Sequence, residues 1–129
     1  MIVVDTSAIV AALTGEDARE RVNDAIASAT GCLMSAANYL ECAIVLTARF
    51  GEDGVHDLRL YLHEAGIEVV SVDRDQADLA LLGWLRFGKG RHPAGLNLGD
   101  CFAYALASLR GAPLLFVGDD FGRTDAVPA

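Results

Sequence analysis

The sequence predicts an α/β fold in which a mainly parallel central sheet is covered by helices on both faces. Short, continuously apolar segments alternate along the chain with longer segments of helical periodicity. Strands without polar alternation are typical of a parallel sheet that is buried on both sides, and this arrangement gives a three-layer sandwich. With 129 residues the chain is predicted to form a single domain, residues 1–129.

Four apolar segments are the predicted strands. They are residues 2–5 (IVVD), 32–34 (CLM), 67–72 (IEVVSV) and 113–117 (PLLFV). In open parallel sheets, ligands bind beyond the carboxyl ends of the strands. The residues that directly follow each strand are therefore the first candidates for a functional site.

The intervening segments are predicted helices with recognisable ends. Ser35 and Asp73 are placed to cap two of them, whereas Gly66 and Gly111 are placed to end two others. The predicted helices cover residues 16–29, 36–50, 55–65, 74–87 and 98–109. The stretch GKGRHPAG, residues 88–95, is predicted to be a flexible loop.

Composition narrows the class of protein. The net charge of −8 argues against binding of nucleic acid by bulk electrostatics, because phosphate neutralisation needs clustered Lys and Arg. No apolar run approaches the ~20 residues of a membrane span, and MIVVDTSAIV has no basic segment of the kind that begins a signal peptide. We therefore expect a cytoplasmic protein without membrane contact.

The sulfur and imidazole side chains do not form a metal-binding pattern. Cys32, Cys42 and Cys101 each lie among apolar residues without paired spacing, which predicts reduced core residues. The three histidines, at positions 56, 63 and 92, lack the close spacing of a helix-borne zinc site. A zinc centre is not expected.

One acidic residue lies in an apolar setting that local structure does not explain. Glu41, in AANYLECAIVL, is the only charged residue between Asp24 and Arg49, within a helix expected to be packed inside the protein. It lies too far along that helix to cap it, and no basic residue within four positions can pair with it. A buried unpaired carboxylate is costly, so Glu41 is predicted to face a cleft that holds a cation or another partner.

Four further acids follow predicted strands or begin a helix. Asp5 ends the first strand, Asp100 begins a helix in LNLGDCFAYALASL, and Asp119 and Asp120 follow the last strand in PLLFVGDDF. Each has an ordinary structural explanation, as a helix cap, a first-turn acid or a turn residue. Gathered at one edge of the sheet with Glu41, they would instead repel one another unless a hard divalent cation, Mg²⁺ or Mn²⁺, lay between them. Such a site suits hydrolysis at phosphorus.

These segments resemble a known family. DTSAI, the lone glutamate near position 40, GDCFAYALA and LLFVGDDFGRTD are similar to the motifs of the PIN domain, and in particular of the VapC toxins of bacterial toxin–antitoxin pairs. The resemblance implies a PIN-like sandwich and an endoribonuclease dependent on Mg²⁺ or Mn²⁺. It also implies a cognate VapB-type antitoxin and homodimer formation.

The resemblance assigns the acids to a catalytic set. Asp5 and Asp100 match the positions most directly associated with the metal, and Glu41 would position the metal or its water. Either Asp119 or Asp120 would be the fourth acid, and the alignment of strand ends favours Asp119. Four polar residues are candidates for additional hydrogen bonds, with helix capping and turn formation as equally good explanations: Thr6, Ser7, Asn38 and Asn97.

The substrate is predicted to contact a basic segment before Asp100. Arg86, Lys89 and Arg91 flank the glycine-rich loop, whereas the other basic residues are scattered. A mobile basic loop near the metal could hold RNA phosphates without making the whole chain basic, although a solvated loop explains the same charges. Single-stranded or looped RNA, such as a tRNA or ribosomal RNA segment, fits an exposed carboxylate cleft better than paired RNA.

Other classes explain the acids less completely. Receiver domains and haloacid-dehalogenase-like enzymes also place an Asp after the first strand, but the latter need a second Asp where this chain has Ser7, and neither class accounts for Glu41. A catalytically silent PIN module would lack one or more acids. A nuclease acting on DNA remains an alternative, because the metal chemistry does not distinguish the sugars.

Overall fold

A four-stranded parallel sheet forms the centre of the protein. The structure is a computed structural model that describes residues 1–129. The strands are β1 (Ile2–Val4), β2 (Cys32–Ser35), β3 (Ile67–Val70) and β4 (Leu114–Leu115). Their order across the sheet is β3-β2-β1-β4, and every neighbouring pair is parallel. The first and last strands of the chain are therefore neighbours, with their carboxyl ends side by side.

Six α-helices surround the sheet. They are α1 (Thr6–Thr14), α2 (Arg19–Ser28), α3 (Ala36–Phe50), α4 (Glu52–Ala65), α5 (Arg74–Phe87) and α6 (Leu98–Arg110), and a 3₁₀ turn follows at Phe121–Arg123. None of these helices is long and apolar enough to span a membrane. The predicted caps Ser35 and Asp73 both accept hydrogen bonds from the first turns of their helices.

The two faces of the sheet build two separate apolar layers, because successive strand residues point to opposite sides. Ile2 and Val4 pack with residues of α1 to α4 on one face. Val3, between them in sequence, packs with residues of α5 and α6 on the other face. Both faces are buried along β1, β2 and β4, as predicted, whereas the edge strand β3 exposes Glu68 and Val69. The predicted α/β sandwich is confirmed.

No bounds for helix α1 were predicted from the sequence, although a helix after the first strand was the ordinary explanation of Asp5 as a cap. The segment TSAIVAALT shows no helical periodicity of apolar and polar residues, because α1 is buried on most of its circumference. Several boundaries also differ from the predictions: α2 begins at Arg19, α4 begins at Glu52, β3 ends at Val70, and β4 contains only Leu114 and Leu115. Short strands and helix ends carry the weakest periodicity, which explains these differences.

Helix α3 is less buried than its apolar composition predicted. Leu40 and Ile44 each expose 60% of their surface, and Glu41 is half-buried. The apolar side chains of α3 therefore serve two purposes, since one side packs on the sheet and the other reaches solvent. The expectation that this helix lies inside the protein was wrong.

The loop at residues 88–95 is more constrained than predicted. The N–H of Lys89 donates to the carbonyl of Leu96 at 2.9 Å, and the N–H of Leu96 donates to the carbonyl of Phe87 at 2.9 Å. The N–H groups of Arg91 and His92 both donate to the carbonyl of Gly88 at 3.0 Å. These main-chain hydrogen bonds fold the segment back on itself, so composition alone overstated its freedom. The three cysteines are buried and unpaired, as predicted.

Helices α3 and α4 touch at Gly54, and we expect Gly54→Ala to destabilise the fold. A methyl group there would meet the carbonyl oxygen of Leu46 and lie 2.7 Å from its carbonyl carbon, and this backbone cannot move aside easily. We expect the free energy of unfolding to fall by about 1–3 kcal/mol, as measured by urea titration. Gly122→Ala, where a methyl group meets nothing within 4 Å, is the matched control. Equal stability of the two variants would contradict this account of the helix contact.

Candidate active site

Asp5 is a buried carboxylate at the carboxyl end of β1. It is 2% exposed and caps α1: its Oδ2 accepts hydrogen bonds from the Ser7 N–H at 3.0 Å and the Ser7 hydroxyl at 2.6 Å. Its Oδ1 is buried without a hydrogen-bond partner. Capping therefore explains only one oxygen, and the other remains available to a ligand.

Ser7 joins the ends of two neighbouring strands. Its hydroxyl donates to Asp5 and also accepts a hydrogen bond from the Val117 N–H at 2.9 Å. Val117 lies just beyond β4, so this contact fixes the segment leading to Asp119 and Asp120 beside the Asp5 carboxylate. A hydroxyl used twice in this way favours a positioning role for Ser7 over contact with substrate.

Glu41 reaches the site from the second turn of α3. Its carboxylate lies against Gly99, in the first turn of α6. A methyl group on Gly99 would lie 2.5 Å from Oε1 and 2.6 Å from Cδ of Glu41, closer than any real contact of this kind. Glycine at this position allows α3 and α6 to approach until their acids share one space.

Asp100 also combines a capping role with a free oxygen. It forms a reciprocal capping box with Asn97: Asp100 Oδ2 accepts from the Asn97 N–H at 3.0 Å, and Asn97 Oδ1 accepts from the Asp100 N–H at 2.9 Å. The capping box uses Oδ2 of Asp100, and Oδ1 accepts no hydrogen bond from the protein. Asp100 is thus held rigidly at the start of α6, with one oxygen to spare.

Three of the predicted acids line a single open cleft of about 490 Å³. Asp5, Glu41 and Asp100 share this cleft. Its other lining residues come from the ends of β1 and β4 and from α1, α3 and the α6 cap: Thr6, Ser7, Val10, Glu16, Val45, Asn97, Val117 and Gly118. The parallel sheet places these residues at its carboxyl edge, as expected for an α/β fold.

Asp119 and Asp120 are exposed and lie outside the lining of the cleft. Of these two residues, Asp120 is the one whose charge raises the pKa of Asp100. This relation favours Asp120 as the fourth acid, whereas the alignment of strand ends favoured Asp119. The two assignments differ because β4 ends at Leu115, earlier than the predicted strand, so a turn of several residues separates its end from the two acids.

Burial and like charge act together on two of the acids. The pKa of Asp5 is raised from 3.8 to about 7, mainly by burial and to a smaller extent by the charges of Asp100 and Glu41, against the lowering effect of its hydrogen bonds from Ser7. Burial likewise raises the pKa of Asp100 to about 6, with smaller contributions from Asp120 and Glu41. Perturbed acids that converge in a cleft are typical of functional sites.

The donor atoms fit a hard divalent cation. The two ion pairs of the protein, Arg74–Asp78 and Arg86–Asp125, involve none of the cleft acids. Asp5 Oδ1 is a buried acceptor without a donor, which is the environment that a cation would satisfy. No three His, Cys, Asp or Glu side chains are already gathered as a complete ligand group. Mg²⁺ commonly uses one or two carboxylates and keeps several waters, so the arrangement meets its requirements.

The remaining polar candidates are held by the protein itself. The Thr6 hydroxyl donates to the Asn38 carbonyl at 3.4 Å, and Asn97 forms the capping box. Of the basic residues, Arg86 pairs with Asp125 at 3.2 Å, and Arg91 lies over the Trp84 ring at 5.0 Å. None of the basic loop residues lines the cleft. Direct contact of these residues with substrate remains a prediction.

Arg21 is a basic residue near the cleft that sequence reasoning missed. Its Nη2 donates to the carbonyl of Phe116 at 3.2 Å, next to cleft-lining Val117, and it forms no ion pair. Its neighbours in EDARERVN are mostly charged, so in the sequence it is typical of a solvated helix surface. Only its hydrogen bond to the Phe116 carbonyl, just after β4, reveals its position.

The raised pKa of Asp5 predicts a specific pH dependence of stability in EDTA. Because the folded-state pKa, about 7, exceeds the ordinary value of 3.8, the folded protein binds this proton more tightly than the unfolded chain does. Asp5→Asn removes the titration, so relative to this variant the wild type should lose up to ~4 kcal/mol as the pH rises from 4 to 8. Urea unfolding of both proteins across this range measures the difference. A difference that does not change with pH would refute the raised pKa.

Comparison with known proteins agrees with this fold. The family model described as PIN domain matches residues 2–127. The chain is 55% identical over 124 residues to "Ribonuclease VapC" of Mycolicibacterium smegmatis, which covers 96% of each protein. Its fold is similar to the crystal structure of Mycobacterium tuberculosis VapC20, described as a sarcin–ricin loop cleaving toxin (TM-score 0.81, 20% identity, 100% and 98% of the two chains). It is also similar to a toxin–antitoxin complex from Klebsiella pneumoniae (TM-score 0.73, 16% identity, 100% and 97%). The chain therefore belongs to the PIN-domain family, and within that family to the VapC ribonucleases.

Proposed function

We propose that this chain is a divalent-metal-dependent endoribonuclease that acts as the toxin of a type II toxin–antitoxin pair. The observation that carries the proposal is the cleft in which Asp5, Glu41 and Asp100 converge, with Asp5 Oδ1 buried and unpaired. The close relative named as a ribonuclease supports the reaction class. The convergence of three of the predicted acids in one cleft argues against a catalytically silent PIN module.

The metal is proposed to be Mg²⁺ or Mn²⁺, held by Asp5, Asp100 and Glu41. The free oxygens of Asp5 and Asp100 are the proposed first ligands, because each residue already commits its other oxygen to a helix cap. When bound, such an ion supplies Lewis acidity toward the phosphate and lowers the pKa of a coordinated water. Asp120 is proposed as the fourth acid. Its charge acts on Asp100, and it adds negative charge at the rim of the cleft.

The protein groups orient the reaction. The helix caps at Asp5 and Asp100 hold two carboxylates rigidly, so they require little rearrangement when substrate arrives. Glu41 caps no helix and forms no ion pair, and its half-buried carboxylate faces the cleft. We assign to Glu41 the orientation of the attacking water and the acceptance of its proton.

The substrate is proposed to be single-stranded or looped RNA, such as a segment of tRNA or ribosomal RNA. The cleft is open and acidic, so phosphate binding needs cations at its rim. Arg21 lies at the β4 side of the rim, and Lys89 is an exposed basic residue of the loop before α6. DNA remains the alternative substrate, because no residue of the cleft specifically identifies a ribose hydroxyl.

The partners are proposed to be a VapB-type antitoxin and a second copy of the chain. The toxin–antitoxin complex among the similar folds supports the first. Apolar side chains exposed on α3 and α5, including Leu40, Ile44 and Leu81, offer surface for association. We further propose that residues 1–129 form one domain, in agreement with the extent of the family match, and that the protein acts in the cytoplasm, where its RNA substrates are.

Glu41→Gln tests the proposed catalytic role. The amide keeps the shape of the side chain but cannot accept the proton, so we expect cleavage of a looped RNA with Mg²⁺ or Mn²⁺ to fall at least about 100-fold. The free energy of unfolding should stay within about 0.5 kcal/mol or increase, because a repelling charge is removed. A matched DNA of the same sequence and an EDTA sample are the controls. An inactive wild type, DNA cleaved as fast as RNA, or full activity of the variant would each count against the proposal.

Arg21→Gln tests the proposed contact with phosphate. Loss of one phosphate contact should raise KM for RNA roughly threefold to tenfold and lower the slope of log binding against log salt by about 1, with little change in kcat. Arg110→Gln is the matched control, because Arg110 is exposed at the end of α6 opposite Asp100, about 15 Å away along the helix. Lys89→Gln applies the same test to the loop. Equal KM values for the Arg21 and Arg110 variants would remove Arg21 from the substrate site.

A further inference from the structure

Asn38 is a polar side chain that is fully buried beside the cleft. It is 0% exposed and lies in the first turn of α3, one turn before Glu41. A buried amide is costly unless its hydrogen bonds are made, and helix-forming apolar residues surround it in sequence. The presence of an amide here therefore calls for a specific role.

The amide of Asn38 joins three segments of the chain. Its Nδ2 donates to the Gly99 carbonyl at 2.9 Å and to the Thr6 hydroxyl at 3.2 Å. The Thr6 hydroxyl in turn donates to the main-chain carbonyl of Asn38 at 3.4 Å. Thr6 directly follows Asp5, and Gly99 directly precedes Asp100. The hydrogen bonds of one side chain thus link the segments that carry Asp5, Glu41 and Asp100.

The junction formed by Asn38, Thr6 and Gly99 also determines how closely α3 approaches α6. The bond from Asn38 to the Gly99 carbonyl holds the first turn of α6 against α3, and the missing side chain of Gly99 leaves room for the Glu41 carboxylate. Asn38 Oδ1 is buried without a partner, so the amide is retained although one of its atoms is unsatisfied. A side chain chosen only for packing would avoid this cost.

We propose that Asn38 is a positioning residue that sets the spacing of the three cleft carboxylates and thereby the affinity of the cleft for a divalent cation. The inference rests on the proposed function. Asn38 touches neither the cation nor the RNA. It acts through Thr6 and Gly99, in the way that outer hydrogen bonds orient metal-binding side chains elsewhere.

Mn²⁺ binding to the purified full chain tests the proposal, with isothermal titration calorimetry as the measurement. Asn38→Ala should weaken Mn²⁺ binding about 10- to 100-fold. Because this substitution also removes buried hydrogen bonds, Gln76→Ala is the matched control. Gln76 is another buried amide, 3% exposed, with one donor bond to the Ser71 carbonyl and an unpartnered Oε1, and it lies outside the cleft. It should lose stability while keeping wild-type affinity for Mn²⁺.

Gly99→Ala examines the same junction without removing a hydrogen bond. Its methyl group would displace the Glu41 carboxylate, and alanine is a better helix former than glycine, so this variant should fold stably and still bind Mn²⁺ more weakly. It shows whether displacement of a cleft carboxylate weakens cation binding. Thr6→Val, which removes the hydroxyl that accepts from Asn38 Nδ2, keeps the test of Asn38 decisive if Asn38→Ala does not fold. The concentration of Mn²⁺ that gives half-maximal RNA cleavage should rise in parallel for Asn38→Ala and Gly99→Ala.

The outcomes separate this inference from the proposed function. Wild-type protein that neither binds Mn²⁺ nor cleaves RNA would overturn both. If the wild type binds and cleaves but folded Asn38→Ala has the same affinity for Mn²⁺, only the positioning role fails. If Asn38→Ala is unfolded, unchanged affinity in Thr6→Val overturns the inference, and weakened affinity supports it.

Discussion

The structure of the cleft depends on one buried carboxylate, that of Asp5. It lies at the end of β1, where Ser7 links it to the segment after β4 and where α1 begins. The hydrogen bonds to Ser7 oppose the cost of burial without abolishing it, so the pKa remains raised. The strands, the first helix and the last acidic turn are thus organised around a charge that the protein alone does not neutralise.

Much of this arrangement follows from sequence. Isolated acids after apolar strands predicted the cleft, because parallel strands bring their carboxyl ends to one edge. Glu41 was the most informative residue, since no cap or ion pair explained it. The extent of the helix at Thr6–Thr14 could not be predicted, because its burial on most sides removes the periodicity that marks a surface helix. Only packing could assign Arg21 and Gly99 to the site, since their contacts involve residues distant in sequence. Asn38 was a candidate from the sequence, but its hydrogen bonds to Thr6 and Gly99 were not predicted.

The basic loop shows where composition misled. Three cations within a glycine-rich stretch predicted a mobile phosphate-binding arm. In the structure Arg86 pairs with Asp125 and also donates to the Tyr104 hydroxyl, while Arg91 stacks on Trp84 and donates to the Leu85 carbonyl. Two of the three charges therefore contribute to local packing. Only the ion pair of Arg86 offsets a charge, so Lys89 and Arg91 keep their attraction for phosphate in a chain with a net charge of −8.

The capping roles of Asp5 and Asp100 affect how diverged relatives should be interpreted. Each residue stabilises the start of a helix with one oxygen, so selection for folding alone would preserve it after catalysis was lost. Glu41 has no such second role, and its charge repels those of Asp5 and Asp100. In a degenerate copy of this protein, the glutamate of α3 should therefore be the first acid to disappear, and its presence is a better marker of an active member than either aspartate.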